Sequence, residues 1–398
     1  MNRISLPDHG ICTGCGACAV SCPSTAVYMK QDKMDVYYPE IDQDRCIECG
    51  KCQRVCHLNG NIVLPKSDKV YAAYSSDAGE RATSASGGIA AELYKYARKN
   101  SWHAYGVEFV HNSCAHYKEL VTDDDYQKAK NSKYVFCDAA DVYKPIAEQL
   151  AKGDFVLFVG IPCQVAALIS FLGGRKENLV TVDMLCHGTS PSCYLDAHID
   201  AIEEKKAHKA DKLCFRDPAY DTSTYTLTLR SNGIVFYHAK TDETDTYQIG
   251  YHKGLIYKEN CYHCKYARPE RVGDLTLSDF SGLGKLAPYN GTKKSVSCVV
   301  VSSEKGERIF RDLNEQELII SDKRPADEAF QYDRMFQHPT TAHKKRGNFV
   351  YMYAETGSFE NAAKSALRIE LVRNKMMMVL HIKEIRGWAS KIKHSLFR

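Results

Sequence analysis

The sequence has little that would place it in a membrane, outside the cell or on nucleic acid. No run of about 18 or more apolar residues occurs, so no membrane-spanning helix is expected. Met1 to Gly10 lacks the apolar stretch of a secretory leader, and the expected location is the cytoplasm. The net charge of +4 is too small to point to nucleic acid, and no basic patch lies in the body of the chain. No internal repeat is visible apart from one duplicated cysteine pattern. With 44% apolar and 26% charged residues over 398 positions, the chain can bury a sizeable core in two or three domains.

Cysteine is what the sequence has in excess: 17 residues, an odd number, in a long chain with no export signal. A disulfide framework suits small secreted chains. Metal ligation or reactive thiols suit this one better. Cys12, Cys15, Cys18 and Cys22 follow C-x2-C-x2-C-x3-C, with Pro23 next; Cys46, Cys49, Cys52 and Cys56 repeat the spacing, with His57 in the proline's place. This is the run of a ferredoxin with two 4Fe-4S clusters, in which the fourth cysteine of each run serves the other cluster. One cluster is therefore expected on Cys12, Cys15, Cys18 and Cys56, the other on Cys46, Cys49, Cys52 and Cys22. Gly14, Gly16 and Gly50 permit the tight curl that three closely spaced thiolates need, and backbone N–H groups then face the sulfurs. Zinc usually pairs a CxxC with a distant CxxC or with histidines, and fits two tandem four-cysteine runs poorly. So small a module has little core, and cluster binding is expected to drive its folding.

After a polar linker at Asn59–Asp68 the pattern changes to alternating strands and helices. Strands are expected at Val70–Tyr74, Asp154–Val159, Leu179–Leu185, Lys212–Phe215, Thr224–Arg230, Ile234–His238, Leu275–Ser278 and Ser297–Ser302. Helices are expected at Ser84–Lys99, Asp141–Lys152, Cys163–Leu172 and Pro191–His208. The fold class is α+β or α/β: a dicluster ferredoxin-like module over 1–60, a mixed α/β domain over 69–345 and a helical basic tail over 350–398.

A second set of cysteines follows this pattern. Cys163 and Cys186 each follow a buried strand, which would bring them to one edge of a sheet, where ligands commonly bind. Cys261 and Cys264 add a CxxC. The four could hold a third cluster; zinc or a redox dithiol would fit the CxxC equally, and Cys163 and Cys186 could be plain core thiols. Cys114, Cys137, Cys193, Cys214 and Cys298 have no partners by spacing and are read as structural. The segment Thr83-Ser84-Ala85-Ser86-Gly87-Gly88 precedes a helix. It matches neither GxGxxG nor a P-loop, and reads either as a phosphate-binding helix start or as an ordinary cap on Ser84 or Ser86.

These pieces have a family order: the TSASGG segment, Asn131-Ser132-Lys133-Tyr134-Val135, Gly160-Ile161-Pro162-Cys163-Gln164, VDMLCHGTSPS, Phe215-Arg216-Asp217 and CYHCKYARPERVGDLTLSDF. Over about residues 69–300 the chain resembles the coenzyme F-420 hydrogenase/dehydrogenase beta-subunit family, flavoproteins that include plant hydroxymethyl-chlorophyll reductases. Bacterial members with a dicluster module are often encoded among capsule or exopolysaccharide genes. The resemblance implies FAD together with a third 4Fe-4S cluster on Cys163, Cys186, Cys261 and Cys264. It also implies flavin contacts from Ser84, Ser86, Gly87, Gly88, Ser132, Lys133, Tyr134 and Gln164. Two departures touch the flavin side: Ile161 stands where the family commonly has threonine, and Cys137 where it usually has a small polar residue.

The expected function is an iron-sulfur flavoprotein oxidoreductase. Electrons from ferredoxin or another redox partner would pass through the clusters to FAD and on to a small-molecule or lipid-linked substrate, in polysaccharide biosynthesis. Lys133 is the candidate for neutralising the reduced flavin or its pyrophosphate, and His187 for proton donation; a surface or core role is the alternative for each. The alternative function is an electron-transfer subunit, without a substrate of its own, in a larger deazaflavin-linked hydrogenase or dehydrogenase. Residues 373–398 carry seven Lys or Arg against one Glu, and their net +6 leaves the rest of the chain at −2 of the total +4. Met378, Ile382, Ile385, Ala389, Ile392 and Leu396 fall on one helical face. This tail is expected to be an interfacial helix at the inner face of the membrane, a partner-binding helix, or a helix docked on its own domain.

Overall fold

The computed structural model describes residues 4–60, 62–109, 114–222, 224–241 and 243–380. Beyond the cysteine loops, the N-terminal module contains a hairpin of β1 (Val27–Gln31) and β2 (Tyr37–Ile41) and two short helices, Ala17–Ser21 and Lys51–Arg54. Gly16 and Gly50, both at positive φ, start those helices just after Cys15 and Cys49.

In the larger domain β3 (Val70–Ser75), β4 (His103–Phe109), β5 (Ala115–Glu119), β6 (Val156–Gly160) and β7 (Leu179–Met184) come first. A three-strand excursion follows, β8 (Lys212–Phe215), β9 (Thr226–Ser231) and β10 (Ile234–Lys240). The chain returns through β11 (Leu275–Asp279), β12 (Ser297–Val301) and β13 (Ile319–Arg324). Eight of these strands form one sheet in the order β13-β3-β12-β11-β7-β6-β4-β5. The four central strands, β11, β7, β6 and β4, run parallel, and both flanks are antiparallel. Parallel strands must be covered on both faces, and the buried runs VLFVG and LVTVD of β6 and β7 meet that demand. The helices Ile89–Lys99 and Glu304–Glu315 contribute to the core on one face, and Ala140–Lys152, Pro162–Phe171 and Ser192–Lys206 to that on the other. Strands β8–β10 form a separate antiparallel sheet.

One expected helix starts later than its sequence suggests. Ser84–Lys99 is helical only from Ile89 to Lys99; Ser84–Gly88 is a bend that joins it to a separate short helix, Ala78–Thr83. The cause is backbone packing. A Cβ on Gly87 would lie 2.4 Å from the Ala73 carbonyl oxygen and 2.8 Å from the Ser297 nitrogen, so only glycine lets this bend lie against β3 and β12. The cap of the second helix is Gly88, at φ 82°, with no side-chain hydrogen bond, in place of Ser84 or Ser86. The C-terminal region supplies the helices Arg346–Thr356, Phe359–Ala366 and Arg368–Val379. The rest of the expected basic helix, from residue 381 onward, lies outside the described residues.

The module is seated on the larger domain by buried polar contacts. His57 is fully buried; its Nε2 meets Thr13 Oγ1 at 3.0 Å and its Nδ1 meets the Tyr266 hydroxyl at 2.6 Å. Burial lowers this imidazole to about 3, with the Lys265 charge adding to the effect, so it is a neutral linker. The Tyr143 hydroxyl donates to the Cys15 carbonyl at 3.1 Å, and Lys265 Nζ to the His57 carbonyl at 2.5 Å. The turn between β1 and β2 is held from the far end of the domain: the Tyr194 hydroxyl donates to the Met34 carbonyl at 3.1 Å and the Tyr353 hydroxyl donates to Asp35 Oδ2.

Candidate cluster sites and the sheet edge

Seven of the eight N-terminal cysteines fall into two neighbourhoods. Burial raises the Cys15 thiol to about 11, and Cys12 and Cys56 raise it further; Cys18, raised mainly by burial, feels Cys15, Cys12 and Cys56. Burial likewise raises Cys52, whose thiol neighbours are Cys22 and Cys49. Cys56 thus sits with the first run and Cys22 with the second. The two groups differ in setting: Cys12, Cys18 and Cys56 are buried and Cys15 is half-buried, whereas in the second group Cys52 is buried and Cys49 is exposed.

The third group is assembled by the sheet. Gly160 at the end of β6 pairs with Asp183 of β7, so Cys163 and Cys186 leave adjacent parallel strands at the same edge. The CxxC segment is tied to the loop after Cys186 by the Lys258 amide, which donates to the Thr189 carbonyl at 2.8 Å. Arg271 fixes the stretch that follows the CxxC. Its guanidinium, 1% exposed, pairs with Asp183, which is fully buried, and donates to the Tyr266 carbonyl at 2.8 Å and the Arg268 carbonyl at 3.1 Å. Thr276 donates to the other oxygen of Asp183. Burial raises Cys163, Cys186 and Cys264, Cys264 to about 11, and the four thiols of the group act on one another: Cys163 feels Cys186, Cys264 and Cys261, and Cys186 feels Cys261 and Cys264.

Thiols gathered in dry protein cannot all ionise unless a cation compensates them, which is the condition that metal binding meets. Yet among the described residues no three Cys, His, Asp or Glu side chains close on a point that would hold a single metal ion.

The other expected site residues lie near the same edge but have varied employment. Ser84 Oγ donates to Glu80 Oε1 at 3.0 Å, Ser86 Oγ to the Val296 carbonyl at 3.2 Å, and the Gly87 amide to Ser297 Oγ at 2.9 Å. Gln164 is buried: its Oε1 accepts from the Tyr117 hydroxyl at 2.8 Å, and its Nε2 donates to the Cys137 carbonyl. Lys133 Nζ donates to the carbonyls of Lys128, Lys130 and Asn131 at 2.9, 2.6 and 3.2 Å, closing the end of the helix Asp123–Ala129. Burial lowers its ammonium to about 7. Lys133 therefore shapes the turn that carries Tyr134. That turn meets the bend through Thr83, to which Lys130 Nζ donates at 2.7 Å and Asn131 Nδ2 at 3.4 Å. His187 is exposed, with Asp333, Arg334 and Asp279 in its field.

Sequence reasoning passed over several neighbours. Arg216, buried, forms a two-pronged pair with Asp279 at 2.8 and 3.2 Å and lies over the Tyr225 ring. Tyr225 and His252 have ring centroids 4.4 Å apart, and Tyr134 lies 5.2 Å from His252. His252 Nε2 and Asn131 Oδ1 are buried without a hydrogen-bond partner among the described residues. Arg216 and Asp279 stood inside recognised motifs, FRD and LSDF; nothing in the sequence marked His252.

A ferredoxin-like dicluster module seated on a mixed-sheet domain, with a third thiol group at the sheet edge, defines an iron-sulfur electron-transfer protein. The comparisons agree. Residues 11–59 match the 4Fe-4S dicluster domain, and residues 153–326 match the family described as the C terminus of the coenzyme F420 hydrogenase/dehydrogenase beta subunit. The chain thus joins a 4Fe-4S dicluster domain to a region that matches the C terminus of the coenzyme F420 hydrogenase/dehydrogenase beta subunits. It is 23% identical over 331 residues to one of the subunits of the F(420)H(2) dehydrogenase of Methanosarcina mazei, covering 80% of this chain and 86% of that one. It is 37% identical over 62 residues to an iron-sulfur subunit of the CoB–CoM heterodisulfide reductase of Methanocaldococcus jannaschii, 12% of this chain and 9% of that one. A chain of the F420-reducing NiFe hydrogenase complex from Methanosarcina barkeri aligns over 79% of this chain and 92% of its own length, at 14% identity and a TM-score of 0.45, a likeness too distant to carry an argument. No described helix is long and apolar enough to cross a membrane.

Proposed function

We propose that the chain is the electron-relay subunit of a larger hydrogenase- or dehydrogenase-type assembly. It would conduct single electrons between the exposed second cysteine group, the buried first group and the group at the sheet edge. The observation that carries this reading is the succession of the three groups. Cys49 faces solvent, the first group is buried apart from half-buried Cys15, and the first and third groups share neighbours: Tyr266 lies in the fields of Cys163, Cys264, Cys15 and Cys56, and Tyr143 in those of Cys15 and Cys163. Clusters so close suit electron hopping, and a donor docked at the exposed end would load them. The relative from Methanosarcina mazei is named as a dehydrogenase subunit, which supports a partner chain.

A second reading, that the chain also holds FAD, draws on the edge formed by Tyr134, Tyr225, His252 and Arg216. Aromatic faces, a cation and two unsatisfied buried polar atoms, Asn131 Oδ1 and His252 Nε2, fit a planar polar ligand. A bound flavin would supply the exchange between one-electron steps and hydride transfer. In that setting Arg216 would hold negative charge, Tyr134 and Tyr225 would orient the ring, and exposed His187 would be the residue able to exchange a proton with solvent. Nothing at this edge selects a polysaccharide or lipid-linked substrate.

Anaerobic purification followed by iron, sulfide and flavin analysis tests both readings. About twelve irons per chain are expected for the relay, and about eight would remove its third station. Flavin released on denaturation would establish the second reading. Chain that loads about twelve irons, holds no flavin and co-purifies with a large partner would leave the relay alone.

A further inference from the structure

Lys258 is a lysine where burial should forbid one. It is 2% exposed, and no ion pair between it and a carboxylate is seen among the described residues. Its Nζ donates to the Thr13 carbonyl at 2.7 Å and lies 3.5 Å from the centroid of the Phe136 ring. Its own amide donates to the Thr189 carbonyl at 2.8 Å, and its carbonyl accepts from the Cys261 amide at 3.0 Å, opening the turn that presents Cys261. An ideal Cβ on Gly14, between Cys12 and Cys15, would stand 2.9 Å from Nζ, so the loop of the first run leaves room for the ammonium.

A buried, unpaired cation is costly. The groups around this one show what would offset that cost. Burial lowers the ammonium, and the thiols of Cys261, Cys163, Cys12 and Cys15 push it back up. Asp138 also lies in its field, with Oδ1 accepting from the Ala140 amide. The same residue thus places its ammonium on the Thr13 carbonyl, between Cys12 and Cys15 of the first group, and its backbone carbonyl on the Cys261 amide of the third, so it stands between the groups. A 4Fe-4S cluster with four thiolates is negatively charged, and reduction adds one further negative charge.

We propose that Lys258 is a shared counter-cation for the first and third clusters, stabilising the reduced form of each and so raising both of the electron's inner stations in potential. The proposal rests on the three-cluster reading above. Each reduction gains attraction from the same fixed charge, so both potentials are raised together. None of Cys22, Cys46, Cys49 and Cys52 is among the thiols acting on Lys258, so the cluster expected on them serves as an internal control.

The test is potentiometric titration, followed by electron paramagnetic resonance, of the anaerobically reconstituted full chain as wild type, Lys258→Met, Lys258→Gln and Lys258→Arg. Signals are assigned with Cys22→Ser and Cys163→Ser chains. In the neutral variants two of the three potentials should move negative together while that of the exposed cluster stays, and Lys258→Arg should remain near wild type. Lys258→Gln keeps a donor toward the Thr13 carbonyl and stands in if the methionine variant loads poorly. Unmoved potentials in a neutral variant carrying about twelve irons would overturn the role of the lysine alone, as would an equal movement of all three. A wild-type content of about eight irons would instead overturn the three-cluster reading beneath it.

Discussion

Cys12 to Cys56 lie within one short stretch, where spacing and glycines bring thiols together before any tertiary structure exists. Cys163, Cys186, Cys261 and Cys264 come from three loops, and only tertiary structure unites them: β6 beside β7, and the Lys258 amide on the Thr189 carbonyl. The first region can be organised by its own metal. The second must be organised by its sheet. The same ligand chemistry is thus written locally in one half of the molecule and topologically in the other, and damage to the sheet should reach only one of the two.

The sharpest way to break this contrast is Cys163→Ser. It should lower iron from about twelve to about eight per chain and leave the dicluster signals intact, measured by iron analysis and paramagnetic resonance. Loss of all clusters would show that the regions fold as one unit. Next in size is Arg271→Met. It leaves the Asp183 carboxylate buried without its partner and should cost about 3–5 kcal/mol in denaturant unfolding, with the third cluster lost ahead of the other two.

The larger domain should also carry a pH signature of its own. Burial alone would lower the His198 imidazole, but Asp245 Oδ2 at 2.9 Å and Glu360 Oε1 at 2.6 Å lift it to about 9 from an ordinary 6.5. Its contribution, on the order of 3 kcal/mol, is fully present below about pH 6.5 and is lost as pH rises through about 9. Unfolding curves across that window should show the decline, and His198→Gln should flatten it. The smallest effect is expected from His57→Leu. Leaving Thr13 and the Tyr266 hydroxyl without this partner should cost about 1–3 kcal/mol and loosen the seat of the module, seen as faster proteolysis near residues 57–66 with iron content unchanged.

The same contrast explains what could be read in advance. The cysteine runs were legible because their geometry is local. Strands β6 and β7 and the helix Pro162–Phe171 were legible because they are continuous buried apolar segments, and Ser192–Lys206 because its apolar residues recur at helical spacing. Strand β13, IISDKR, escaped because it is a flank strand whose exposed positions are polar, and β4, because HAYGVEF mixes polar and apolar residues without a clean run. The ligands of the third group were each visible, but their convergence depended on pairings that no short window contains. Lys133 attracted attention as a cation near a conspicuous motif, and its three donors turn out to close a helix. Lys258 drew none, since a lysine next to a glutamate reads as surface.

The clasp of Tyr194 and Tyr353 on the β1–β2 turn bears on how such a protein can be rebuilt. Ferredoxin modules invite treatment as interchangeable cassettes. Here the cassette is gripped at its cluster face by Tyr266, through His57, and by Tyr143, and again at its hairpin by side chains reaching from the helices Ser192–Lys206 and Arg346–Thr356. A transplanted module with the right cysteines but another hairpin would be held at one end and free to pivot at the other. The unit that can be exchanged between proteins is therefore the module together with its clasp.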